Sequence, residues 1–119
     1  MTVHDRSVSA SAAVDRFNRA FDAKDVDAIM DAMTPDCAFE DTTAPDGRRH
    51  VGAAQVRQAW EALFASSPDA RFTIEDAFQA GERVVQRWHY AYHGGHVRGV
   101  DILTVRNGLV AEKLAYVKG

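Results

Sequence analysis

Apolar positions recur at two periods along the chain, and the change of period divides it. In the first half, Val14, Phe17 and Phe21 stand at i, i+3 and i+7, with Ala13 and Ala20 widening the same face. That spacing predicts an amphipathic helix from Ser9 to Ala23. Val26, Ile29, Met30 and Met33 form a second helical stripe with Asp25 as its N-cap. Thr34-Pro35-Asp36 ends it, because a residue before proline is pushed out of the helical region. "CAFED", closing at Asp41, reads as a short strand and "TTAPDGRRHVG" as a loop punctuated by Pro and Gly. "AAQVRQAWEALFASS" is the clearest helix, with Val56, Ala59, Trp60, Leu63 and Phe64 on one side.

Beyond Pro68 the period falls to two. "RFTIEDAFQ" alternates at Phe72, Ile74 and Phe78, and "RVVQRWHYAYH" at Trp88, Tyr90 and Tyr92. Gly81, Gly94-Gly95 and Asn107-Gly108 mark turns, the last two of hairpin type. They set off two further strands, "HVRGVDILTVR" and "LVAEKLAYVK". Helices early and strands late predict one α+β domain over residues 1–119: a curved antiparallel sheet wrapped around N-terminal helices as a cone. Such a cone leaves a cavity open at one end, a natural small-molecule site. Residues 1–8 read as a flexible tail.

The chain has 119 residues, which suits one domain. A net charge of -3 removes the electrostatic case for nucleic-acid binding. No apolar run is long enough to span a membrane, and the small, polar N-terminus does not resemble a signal peptide. Cys37 has no second cysteine to pair with, which fits a cytoplasmic location. In a short strand it reads as a small buried apolar residue.

Candidate chemistry begins at the strand "CAFED". If Phe39 packs inward, period-two alternation turns Glu40 outward and Asp41 inward at a cavity rim. The alternative for Asp41 is a loop cap holding backbone amides near Thr42 or Thr43. In "GVDILTV", Asp101 sits mid-strand with apolar residues on both faces, where an acid is costly without a partner. Two readings stand for it: a protonated hydrogen-bond donor in an apolar setting, or an ion pair with Arg87 or Arg98.

With those residues in place, the order of elements resembles the nuclear transport factor 2 superfamily, which includes SnoaL-like polyketide cyclases and ketosteroid isomerases. The resemblance runs from Val14 to Val117. "DRFNRAFDAKDVDAIMDAMTPDCAFED", "GAAQVRQAW" and "GVDILTVRNG" carry it. It implies a small-molecule-binding protein, ketosteroid isomerase-like or cyclase-like, that removes a proton next to a carbonyl. Asp41 would be the general base and Asp101 the neutral acid that steadies the enolate oxygen. Phe17 stands where ketosteroid isomerases carry the oxyanion-hole Tyr, Trp60 where a supporting Tyr lies, and Thr42 where a Pro commonly follows the base. Tyr90 and Tyr116 are candidates for a replacement hydroxyl. Phe17, Phe39, Trp60, Phe64 and Leu103 form the expected apolar wall. The limonene-epoxide hydrolase site is not reproduced: its Arg-x-Asp pair falls on Arg87 and His89, and its last-strand Asp near Ala115.

The expected ligand is an apolar small molecule with a carbonyl, and the expected assembly a homodimer. A ligand-binding or dimerisation module without catalysis is the rival reading on the same fold. No cofactor is implied, since no Gly-rich phosphate loop is present. His89, His93 and His96 read as surface histidines rather than metal ligands, because His89 and His93 stand too far apart on one strand to chelate together. The Trp88, Tyr90 and Tyr92 stripe is either cavity wall and core or an outer dimer face. "APDGRR" reads as a solvated loop or as a lid.

Overall fold

Ser9 caps the first helix, its hydroxyl accepting from Ala12 N at 3.0 Å, and α1 spans Ala10–Asp22. A computed structural model describes residues 9–119 of the chain; the tail expected at 1–8 lies outside the described residues. Asp25 caps α2 (Val26–Asp31) by accepting from Ala28 N at 3.1 Å. The strands are β1 (Met33–Glu40) and β2 (Arg49–Val51), then, after α3 (Ala53–Ser66), β3 (Arg71–Ala80), β4 (Arg83–Tyr92), β5 (Gly95–Arg106) and β6 (Leu109–Val117).

These strands form one curved six-stranded sheet in the order β2-β1-β6-β5-β4-β3. Every neighbouring pair is antiparallel except β1 with β6. The parallel pair arises because the meander β3 to β6 returns its last strand beside the first. The helices cover one face, so the expected α+β cone is the observed architecture. Among the described residues, no helix is long and apolar enough to cross a membrane.

Four local features differ from the sequence reading. The strand begins at Met33, not Cys37, and passes through Pro35. The β1–β6 register shifts between Met33 and Ala38, so the proline sits where no ladder N–H is needed. The loop after Asp41 contains a short strand, β2, whose three residues are too few to show a period. The β4–β5 hairpin turns at His93-Gly94, one residue earlier than read, because Tyr92 pairs with Gly95. A bulge between Ile74 and Asp76 breaks the alternation of β3. Phe72 and Ile74 face the helices, but Phe78 is turned to the outer face and is 61% exposed.

The core is aromatic. Phe21 packs edge-on against Trp60, Phe64 and Phe72 at 5.5, 5.2 and 4.8 Å, and Phe39 lies 4.3 Å from Trp60. Gly99 is paired with Trp88 across β4 and β5. A methyl group there would strike both the Trp88 ring and the Tyr116 carbonyl oxygen. Gly99→Ala is therefore expected to destabilise the protein by about 1–3 kcal/mol through overpacking. Urea unfolding midpoints test this, and an unchanged midpoint would refute the close approach.

Candidate functional site

The open end of the cone holds a cavity of about 630 Å3. One face of α3, with Ala59, Ala62 and Leu63, forms part of its wall, and the inner faces of the strands form the rest. Trp88, Tyr90 and Tyr92 all line it, which settles the aromatic stripe on the inner face. The Tyr90 hydroxyl is held by Ser67 Oγ at 2.6 Å.

Asp41 follows the last residue of β1 and lines the cavity mouth, while Glu40 turns outward to Arg49 at 3.7 Å. Its backbone N–H donates to Arg48 O at 2.9 Å. Both readings of Asp41 hold together. It lines the cavity, and Oδ1 accepts from Thr43 N at 3.0 Å and Arg48 N at 2.7 Å. Oδ2 lies 3.1 Å from His50 Nε2. Partial burial pushes the carboxyl up, but the Thr43 and Arg48 amides and the His50 contact outweigh it and hold the pKa at about 2. Asp41 is thus a fixed anion and a weak proton acceptor near neutral pH.

His50 was not singled out from the sequence, where it lay in an apparent loop. It faces Phe39 across β1 and β2, stacked at 5.7 Å with the ring planes 17° apart. With Nε2 tied to Asp41, its tautomer and orientation are set by that partner.

Asp101 lines the cavity and is 1% exposed. Its oxygens are acceptors: Oδ1 takes the Trp88 indole N–H at 2.9 Å, and Oδ2 takes Gln86 Nε2 at 3.0 Å. Lys113 Nζ lies 3.7 Å from the same Oδ2. The expectation of a hydrogen-bond donor is corrected here, because each Asp101 oxygen accepts, one from Trp88 and the other from Gln86. The expected arginine partners are committed elsewhere, Arg87 to Asp76 and Arg98 to Glu75.

Lys113 was also missed. It is a cavity-lining residue at 4% exposure, and its amine nitrogen lies 4.2–5.7 Å from the ring centres of Phe21, Phe17, Trp60, Phe72 and Phe39. Burial pushes its pKa below the usual lysine value, against the raising effect of Asp101.

Of the expected wall residues, Phe39 and Tyr90 line the cavity. Phe17, Trp60, Phe64 and Leu103 do not; they pack behind it in the core. Tyr116 pairs with Val100 on the outer face and is 54% exposed, so it offers no hydroxyl to the cavity. Among the described residues, no group of three or more His, Cys, Asp or Glu is arranged to hold a metal. The His89 and His96 rings lie 4.9 Å apart.

The depressed Asp41 pKa fixes the sign of a pH effect. Its stabilising contribution is fully present above the unfolded value of 3.8 and is lost as pH falls through about 2. Asp41→Asn is expected to lower stability by about 1 kcal/mol at pH 7, after discounting for solvent reaching the carboxylate. The gap from the wild type should close as pH falls from 4 towards 2. Urea midpoints across that range test this; a gap that does not shrink would contradict it.

The SnoaL-like domain family model matches residues 14–113. An NTF2-like protein of unknown function from Mesorhizobium loti is 38% identical, with 99% of this chain and 98% of that one covered and a TM-score of 0.83. A candidate polyketide cyclase from Sinorhizobium meliloti superposes with a TM-score of 0.79 at 19% identity, covering 91% of this chain and 99% of that one. A candidate ketosteroid isomerase from Kribbella flavida gives 0.80 at 14% identity, covering 92% and 78%. No curated protein matches the sequence. The family model spans both the β1 rim that carries Asp41 and the Asp101–Lys113 pair, and this chain belongs to the SnoaL-like family of NTF2-like proteins.

Proposed function

We propose that the cavity binds an apolar small molecule bearing a carbonyl group, and that the His50–Asp41 pair removes a proton next to that carbonyl. The observation that carries this reading is the 3.1 Å contact between His50 Nε2 and Asp41 Oδ2 at the mouth of an aromatic cavity. An imidazole held by a carboxylate through one ring nitrogen keeps the other nitrogen free to take a proton, whereas a carboxylate held at about pKa 2 is a weak base. Asp41 orients the imidazole and stabilises the imidazolium formed when it accepts a proton. The aromatic wall suits a flat, apolar ligand. The names of two structural relatives, polyketide cyclase and ketosteroid isomerase, agree with a carbonyl substrate.

A panel of β,γ-unsaturated ketones and polyketide-like carbonyl compounds tests the reading through exchange of the α-hydrogen for deuterium. His50→Gln is expected to lower the exchange rate about 10²–10⁴-fold while ligand binding persists. Equal exchange by wild type and variant would remove His50 from the reaction. Binding with no exchange by either protein would favour a ligand-binding module.

The assembly we propose is a homodimer through the outer face of the sheet. Phe78, Val85, Ile102 and Leu114 stand opposite one another in register and make an apolar row across four strands. The exposed Tyr116 lies beside it. The helices cover the other face, so a second copy is the natural cover for this one. Ile102→Asp is expected to shift the protein from dimer to monomer in light scattering. A monomeric wild type would overturn the assignment.

A further inference from the structure

We infer that Lys113 is a nucleophilic amine that captures carbonyl compounds in the cavity as an imine. The inference rests on the reading above for its substrate class alone. A lysine inside a protein is ordinarily a liability, and this one is not tied up as a structural ion would be. Its nearest carboxylate oxygen, Asp101 Oδ2, is 3.7 Å away and already accepts from Gln86. The other Asp101 oxygen is taken by Trp88. The surroundings of the amine are otherwise the faces of five aromatic rings and the cavity itself. Removal from water favours the uncharged amine, and the pKa is lowered accordingly. A desolvated lysine amine beside a cavity is the arrangement that adds to carbonyl carbon.

The step balances in atoms and electrons. The amine lone pair forms the N–C bond, and the C=O π pair moves to oxygen. That oxygen takes the proton released by nitrogen, with Asp101 placed to relay it, giving a carbinolamine. A proton taken from solvent at the open cavity turns that hydroxyl into a leaving water, and its loss gives the protonated imine. Gln86 is a positioning residue for this chemistry. Asn18 and Gln86 exchange hydrogen bonds at 2.8 and 3.1 Å, and this fixes the amide that holds Asp101.

The test is reductive trapping on the wild-type protein, with benzaldehyde as probe and cyanoborohydride as hydride donor, read by mass spectrometry of peptides. Lys24, Lys113 and Lys118 are the chain's lysines, so the label is easily assigned. Lys113 is expected to be labelled at least ten-fold faster than Lys118 at pH 7. Labelling no faster than Lys118, or none, overturns the proposal. In Lys113→Arg, which keeps a nitrogen donor opposite Asp101, the fast label should vanish; its persistence at another position overturns the proposal too. The two readings fail separately. Fast labelling of Lys113 with no α-hydrogen exchange in the panel leaves this inference standing and removes the His50 reading. Exchange with an inert Lys113 does the reverse.

Discussion

The pairing of Lys113 with Asp101 is the constraint around which the inner face is organised. An amine and a carboxyl group on neighbouring strands are taken out of water together, at a distance too long for a tight ion pair. Two such polar groups are costly to bury, and losing either one leaves the other without its partner in a low-dielectric interior. The surroundings reduce that cost with fixed dipoles. Trp88 and Gln86 donate to the carboxyl oxygens, Asn18 on α1 holds Gln86, and ring faces surround the amine. The network joins α1, β4, β5 and β6, so the placement of the first helix on the sheet is specified by polar contacts as well as by apolar packing.

The same network decides what is core and what is cavity. Phe17 and Trp60 lie 5.2 and 5.3 Å from the Lys113 nitrogen and pack in the core behind the wall. The ligand space is left to Tyr90, Tyr92, Phe39 and the open face of α3. Phe17 therefore does not stand as an oxyanion-hole residue that lost its hydroxyl. It has a different task here, as part of the ring cage around the Lys113 amine. The cavity is polarised as a result. Its mouth carries a hydrogen-bonded anion with a histidine beside it, and Lys113 and Asp101 lie among its apolar inner lining.

The fold was legible because its signals were local and repeated. Three amphipathic helices, the cap at Asp25 and the turns at Gly81 and Asn107-Gly108 each announce themselves within a few residues. The inward turn of Asp41 followed from the parity of Phe39, a distance of two residues. What was not legible depends on register. A hairpin closed at Asn107-Gly108 without interruption would set Ile102 opposite Lys113 and send that lysine to the outer face. The shift between Thr104 and Val105 instead sets Leu103 opposite it and turns the amine inward. Asp101 looked like a mid-strand acid in need of a partner, and its partner lay on a strand whose parity could not be read. His50 was hidden for a related reason, since β2 is too short to display alternation.

Single-residue irregularities thus govern both faces of this sheet. A bulge flips every side chain beyond it, at little cost in hydrogen bonds. The shift near Val105 carries Lys113 into the aromatic interior, while the shift between Ile74 and Asp76 carries Phe78 out of it. The first supplies an amine that an apolar cone would otherwise lack. The second completes the apolar row on the outer surface. Interior chemistry and exterior cover therefore have the same kind of origin, and neither follows from the hydrophobic pattern of its own strand. An insertion or deletion in β5 or β6 before Lys113 would separate it from Asp101 without changing the composition of either strand.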